Sequence, residues 1–156
     1  MTDNQTGLMW EKKTSTCSGE VTCVNNAYSW SLTGTPADGT LFTTFIAGLN
    51  GGDYYSQSAG QIVSAGTGTC LANHCDWRIP TVAELNTIVE SAATGCDSGS
   101  PCIDTAFVPT QAFFYWSSSS LASSAFRAWY VDFNDGYVYG NFKTSFFYAR
   151  AVRSGR

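Results

Sequence analysis

Apolar and polar positions alternate most regularly near the end of the chain. In Ala128-Trp-Tyr-Val-Asp-Phe133, Trp129, Val131 and Phe133 fall on one face and Ala128, Tyr130 and Asp132 on the other, the period of a half-buried strand. Asn134-Asp-Gly136 supplies turn chemistry, because Asp and Gly tolerate the positive φ of a tight hairpin. Tyr137-Val-Tyr139 leaves that turn as a second strand. Phe147 to Arg153 predicts a final strand paired into the sheet, since a loose one leaves backbone groups unsatisfied. With Trp129, Val131, Phe133 and Val138 inside, Tyr130, Tyr137 and Tyr139 point outward. Phe142, Phe146 and Phe147 follow in a stretch with surface-loop character.

The rest of the chain mixes helical and extended periods. Thr2 to Glu11 reads as a turn followed by a strand, with Leu8 and Trp10 on one face. Residues 14–27 show little periodicity. From Asp38 onward Leu41, Phe42, Phe45, Ile46 and Leu49 recur at helical spacing, and Gly51-Gly52 supplies the stop. Residues 51–69 are rich in Gly, Ser and Ala, and predict a loop. Thr81 and Glu84 have capping-box spacing. Val82, Leu85, Ile88 and Val89 then make one apolar stripe, which predicts a second helix to about Ser91. Residues 92–112 form a loop into the terminal strands. The expectation is a single α+β domain over 1–156: two helices packed on short, mostly antiparallel strands, loop-rich and disulfide-stapled.

Composition sharpens that picture in two ways. Of 23 aromatic residues, 14 lie between Gln111 and Arg156, too many to fit inside a few short strands. Rings crowded with Ser, Gly, Asn and Arg have the composition of a binding surface, where rigid side chains give contact area at low entropy cost. The net charge of −4 is uneven: residues 1–110 carry three Lys/Arg against ten Asp/Glu, and 111–156 carry five against two. So mild a basic excess gives no argument for nucleic acid. No run approaches the ~18 apolar residues of a membrane span, so direct membrane insertion is not expected. Met1-Thr-Asp-Asn-Gln5 lacks the pattern of a signal peptide and reads as a start placed at a domain boundary.

Six cysteines in a Ser/Thr/Gly-rich chain point to an oxidising compartment, extracellular or at a cell surface. They fall as three close pairs, Cys17 with Cys23, Cys70 with Cys75 and Cys96 with Cys102. Spacing favours local pairing among the 15 possible connectivities, each small loop adding roughly 2–2.5 kcal/mol before native strain. A zinc site on Cys70, His74 and Cys75 is the sharper alternative, lacking a fourth ligand and the usual spacings.

Several strings resemble a known family. Thr2-Asp-Asn4, Thr6-Gly-Leu8 and Trp10, then Asp76-Trp-Arg-Ile-Pro-Thr81, Tyr115-Trp-Ser-Ser118, Ala128 to Phe133 and Tyr148 to Arg156 resemble the C-terminal domain of Legionella collagen-like adhesins. The resemblance implies a C-type lectin-like fold, and within it is closest to the variable proteins of diversity-generating retroelements. In those proteins adenines of Asn-rich template codons are scrambled, and the last segment becomes a hypervariable ligand-binding face. Carried over here, 115–156 is the candidate variable region. Its candidate ligand-binding residues are Phe126, Arg127, Asp132, Asn134, Asp135, Tyr137, Tyr139, Gly140, Asn141, Phe142, Thr144, Ser145 and Phe147. Each is reachable from an Asn codon by changing adenines alone. Glu, Gln and Met, not reachable from an Asn codon ending in C, are absent after Gln111.

Catalytic chemistry is hard to build from this sequence. His74 is the single histidine, so no Ser/His/Asp or Cys/His arrangement emerges. Formylglycine-generating enzymes share the lectin-like fold and a string similar to Arg78-x-Pro80-Thr81-x-Ala83-Glu84 but work through late cysteines, and none follows Cys102. A relative of theirs without activity is the remote alternative. The Glu-Pro-Asn and Trp-Asn-Asp strings of calcium-dependent lectins are missing, and Asn134-Asp135 reads as a turn rather than a cation site. The expectation is a non-enzymatic recognition protein, without cofactor or metal. It would bind a protein or other macromolecular ligand at a cell surface or on a phage. The alternative is a fixed adhesin for sulfated glycans.

Overall fold

A computed structural model describes residues 1–56, 61–63 and 69–155. Among the described residues the strands are short except for a central antiparallel ribbon: β6 (Phe114–Leu121), β7 (Ser124–Asp132) and β8 (Val138–Phe142), in the order β6-β7-β8. The turn Leu121–Ser124 joins the first two, and the Asn134–Gly136 turn joins the last two. Gly136 sits at φ +79, as a residue at this turn must. A Cβ there would also lie 3.1 Å from Val89.

From Ala128 onward β7 is covered on both faces, which the simple alternation did not anticipate. Val131 and Phe133 join Trp10, Leu85, Ile103, Phe107, Tyr115 and Val152 in one core. Ala128 and Tyr130 join Trp30, Phe45, Trp77, Trp116 and Phe147 in a second core on the opposite side. Tyr130, expected outward, is therefore covered. Two further layers explain why. The π-helical turn Leu41–Ile46, running into α1 (Ala47–Leu49), packs Leu41, Phe45 and Leu49 into the second core, and Gly51 ends it at φ +78. The chain end supplies Phe147, Ala149 and Ala151 beside them.

That chain end is not one strand. β9 (Phe146–Phe147) pairs with β3 (Tyr28–Ser29), and β10 (Val152–Ser154) pairs with β2 (Leu8–Trp10), which also pairs with β1 (Thr2–Asp3). Between them Tyr148 bonds across to β6: its N–H donates to Phe114 O at 3.0 Å, and its carbonyl accepts from Trp116 N–H at 3.0 Å. One short segment thus stitches three sheets. As expected, Leu8 and Trp10 share a core, while Met9 turns to the other.

The capping box forms as the spacing predicts: Thr81 Oγ1 accepts from Glu84 N–H, and the Glu84 side chain accepts from Thr81 N–H. α2 nevertheless spans only Val82–Asn86. Val89 pairs with Ile103 and Glu90 N–H donates to Cys102 O at 3.0 Å, which draws the chain out of the helix before Ser91. Ser118 of the Tyr115-Trp-Ser-Ser string and Ser119 after it hold this helix to the ribbon. Ser118 N–H donates to Pro80 O at 2.8 Å, and Ser119 Oγ accepts from Val82 N–H at 3.0 Å, across a register shift in β6.

All three expected disulfides are present, Cys17–Cys23, Cys70–Cys75 and Cys96–Cys102. The second occupies both sulfurs that the zinc alternative required. Within 51–69, expected to be loop, β4 (Tyr54–Ser56) and β5 (Gln61–Val63) instead form a hairpin; residues 57–60 and 64–68 of that stretch lie outside the described residues. Arg150 is fully buried and structural: it donates to the carbonyls of Glu11 at 2.7 Å, Phe107 at 2.9 Å and Pro109 at 3.2 Å, and to Thr110 Oγ1 at 2.8 Å. Glu11 and Lys13 form a buried ion pair at 3.0 Å beside it, and burial pushes the Lys13 pKa down.

Candidate functional site

The candidate residues gather around β8, the strand at one edge of the central ribbon. Register sorts them. Tyr139 lies opposite Tyr130 and Asn141 opposite Ala128, so these side chains continue the second-core face outward. Val138 lies opposite Val131, Gly140 opposite Trp129 and Phe142 opposite Arg127, so these occupy the α2 face. The rings expected on one surface therefore straddle an edge strand, as the two-residue period demands.

On the first face the aromatics form a row from core to solvent. Trp116 stacks on Phe147 with centroids 4.4 Å apart, Phe147 meets Tyr130 at 5.0 Å, and Tyr130 meets Tyr139 at 5.8 Å. Tyr139 Oη donates to Asp135 Oδ2 at 2.9 Å, and that bond raises the phenol's pKa. Asp135 Oδ1 also accepts from Tyr137 N–H at 2.9 Å. On the α2 face the Arg127 guanidinium lies over the Phe142 ring, 4.7 Å from its centroid. Beside it, Trp129 and Val138 line a shallow apolar depression with Val82, Ala83 and Asn86. Both were expected to be buried. Because α2 stops at Asn86, Trp129 is left half-buried and Val138 partly open to solvent.

Most candidates are accessible. Tyr137 is 65% exposed, Phe126 55% and Phe142 52%; Arg127, Asn134, Tyr139 and Thr144 are also exposed. Asp135, Gly140, Asn141 and Ser145 are half-buried. Two candidates lie inside. Phe147, at 6% exposure, packs between Trp116 and Tyr130, because β9 turns it inward opposite Tyr28. Asp132 is buried in the turn, where its carboxylate accepts from Asn134 N–H at 2.9 Å; burial, then the neighbouring Asp135, raises its pKa.

The same inversion exposes Phe146, at 57%, in place of Phe147. Leu32, also exposed, is a further neighbour. It follows Ser31, whose N–H donates to Lys143 O at 2.9 Å, and Phe126 reaches the same loop at Gly34. Phe146 was legible only to someone who knew which ring of the pair faces β3. Leu32, in a Thr/Gly/Pro stretch, had no sequence signal at all.

The family description of the Lcl C-terminal domain matches residues 1–153. The chain belongs to that family. No curated protein and no solved structure matches it. Membership points to an adhesin-like surface domain, and the three disulfides fit a secreted or surface setting. No helix among the described residues of the Lcl domain is long and apolar enough to cross a membrane. Within the Lcl domain, Asp76-Trp-Arg-Ile-Pro-Thr81 is scaffold. Trp77 is buried and its backbone is held on both sides by Asn50, at 2.9 Å each. Asp76 pairs with Arg153 at 2.6 Å, and Arg78 forks onto Glu84.

Proposed function

We propose that the exposed rings around β8 form a recognition surface for a protein or other macromolecular ligand. They are carried on a C-type lectin-like scaffold and work by contact, not catalysis, without cofactor or metal. The observation that carries this reading is the exposed set Phe126, Tyr137, Tyr139, Phe142 and Phe146, held beside a ribbon whose centre, at Ala128, Tyr130 and Val131 of β7, is locked into two cores. Solvent-facing rings add little to folding, and clusters of them mark interaction sites. The cross-strand aromatic row holds Tyr139 in place before any ligand arrives, which lowers the entropy cost of binding.

The same surface suits diversification by a retroelement. Eleven of the thirteen Asn-codon-compatible positions are exposed or half-buried, so variation there meets solvent rather than core. A fixed adhesin for sulfated glycans has less support. Of the basic residues after Gln111, Lys143, Arg150 and Arg153 are buried, leaving Arg127 as the exposed cation among the described residues of that segment. A polyanion needs a dense basic face. The test is genomic: a near-copy of the sequence coding for 115–156, beside a reverse transcriptase gene and differing only at adenines. Its presence is the expected result. Its absence, with an invariant segment across isolates, returns the domain to the fixed-adhesin reading.

A further inference from the structure

The backbone of β8 carries chemistry that the side-chain face does not use. Asp132 N–H donates to Tyr137 O at 2.9 Å at one end of the β7–β8 pair, and Lys143 N–H donates to Phe126 O at 2.9 Å at the other. In an antiparallel pair these bonds fix the alternation along the strand. Tyr137, Tyr139, Asn141 and Lys143 turn their backbone groups toward β7, and Val138, Gly140 and Phe142 turn theirs away. Phe142 is already satisfied: its N–H donates to Asn141 Oδ1 at 2.7 Å, and its carbonyl accepts from Ser145 N–H at 3.0 Å. Val138 and Gly140 have no hydrogen-bond partner for either N–H or C=O among the described residues, and no strand lies beyond them. The edge is open over one three-residue window and closed on both sides of it.

From this window we infer that the domain takes an extended peptide segment of its partner as an added strand against Val138–Gly140. The inference rests on the recognition-surface reading and gives it a binding mode. In the favoured antiparallel direction, the peptide residue opposite Val138 points its side chain into the depression of Val82, Ala83, Asn86, Trp129 and Val138, which calls for an apolar group. The residue opposite Tyr139 lies on the other face beside Asp135, whose carboxylate meets Tyr139 Oη, and calls for Lys or Arg. Before it enters the window the segment passes Phe142 without backbone pairing, and there the Arg127 guanidinium over that ring calls for Asp or Glu. Read from its N-terminus, the segment is acidic, any, any, basic, apolar.

A second copy of this chain is the other occupant to consider. Three residues of open edge, bounded by the Asn134–Gly136 turn and the Asn141 cap, form a small contact. It falls well short of the roughly 1,200–2,000 Å² that a stable interface buries. A short peptide contact tolerates weak affinity, whereas a dimer held by this edge alone does not.

The probe is a blocked peptide, Thr-Glu-Thr-Thr-Lys-Leu-Thr, titrated into the isotopically labelled domain with backbone amides followed by NMR. The expected result is saturable shifts at Val138 and Gly140, with slowed hydrogen exchange of those two N–H groups. N-methylation of the peptide residue opposite Gly140 or Val138 removes a donated bond, and weakens binding at least about tenfold. N-methylation of the Lys, whose N–H points away from β8, leaves affinity unchanged. Exchanging Glu and Lys weakens binding as well. The proposal is overturned by absent shifts, by equal affinity of all N-methylated forms, or by concentration-dependent protection of Val138 and Gly140 in the free protein, which assigns the edge to a second copy. A negative titration alongside an adenine-substituted near-copy in the genome rejects strand pairing while leaving the recognition surface standing.

Discussion

Glu84 shows how much a single side chain does in this fold. Its two oxygens accept from Arg78 Nη1 and Nη2 at 2.7 and 2.6 Å, and one also accepts from Thr81 N–H at 2.8 Å. The Arg78 fork, followed by the Thr81 bonds, holds its carboxyl at about 2. A depressed carboxylate pKa stabilises the fold above the unfolded value near 4.5, and that contribution is lost as pH falls from there toward 2. Asp76, lowered by Arg153, acts with the same sign. Denaturant midpoints of wild type should therefore drop on acidification across this window, and Glu84→Gln should flatten the drop by about 1–2 kcal/mol after solvent screening. An unchanged slope would remove Glu84 from the account. Phe146 and Phe147 offer a second test of residue placement. Phe147→Ala empties a site between Trp116 and Tyr130 and should cost about 3–5 kcal/mol, whereas Phe146→Ala should stay within about 0.5 kcal/mol. Equal costs would mean the two rings have been exchanged. The capping box was legible because both of its partners lie within one turn. Phe147 was not, since its direction is set by β3 at the far end of the chain.

At the scale of elements, local chemistry was readable and docking was not. The three disulfides close short loops, so proximity in sequence sufficed. Thiol titration of denatured, unreduced protein should read near zero. A peptide map linking Cys17 to Cys102 would overturn the pairing. The second helix begins where Thr81 and Glu84 said it would, yet ends early because the Val89–Ile103 bridge competes for its backbone. No periodicity reports a competitor of that kind. The chain end is the clearest example: its alternation is compatible with one strand. The structure divides it between β3, β6 and β2, because each of those edges needs a partner. The open depression beside Trp129 follows from the short helix, so the sequence held no sign of it.

At the scale of the whole molecule the central ribbon lies between two cores, and among the described residues no strand pairs with the outer side of β8. Val131→Ala, at the centre of the ribbon, should cost on the order of 1–3 kcal/mol through the cavity it leaves. The density of rings in the last 46 residues was apparent from the outset, and roughly half of them serve the cores while the rest face solvent. Which ring does which required the register of β7 against both neighbours. On the proposed recognition surface the solvent-facing rings are surplus to folding and serve contact. That role is tested most directly by replacing Tyr137, Tyr139 and Phe142 together with Ser and measuring equilibrium unfolding beside wild type. The two curves should differ by no more than about 1 kcal/mol, because all three side chains are exposed. A variant that loses several kcal/mol, or fails to fold, would make those rings part of the core and contradict the recognition surface.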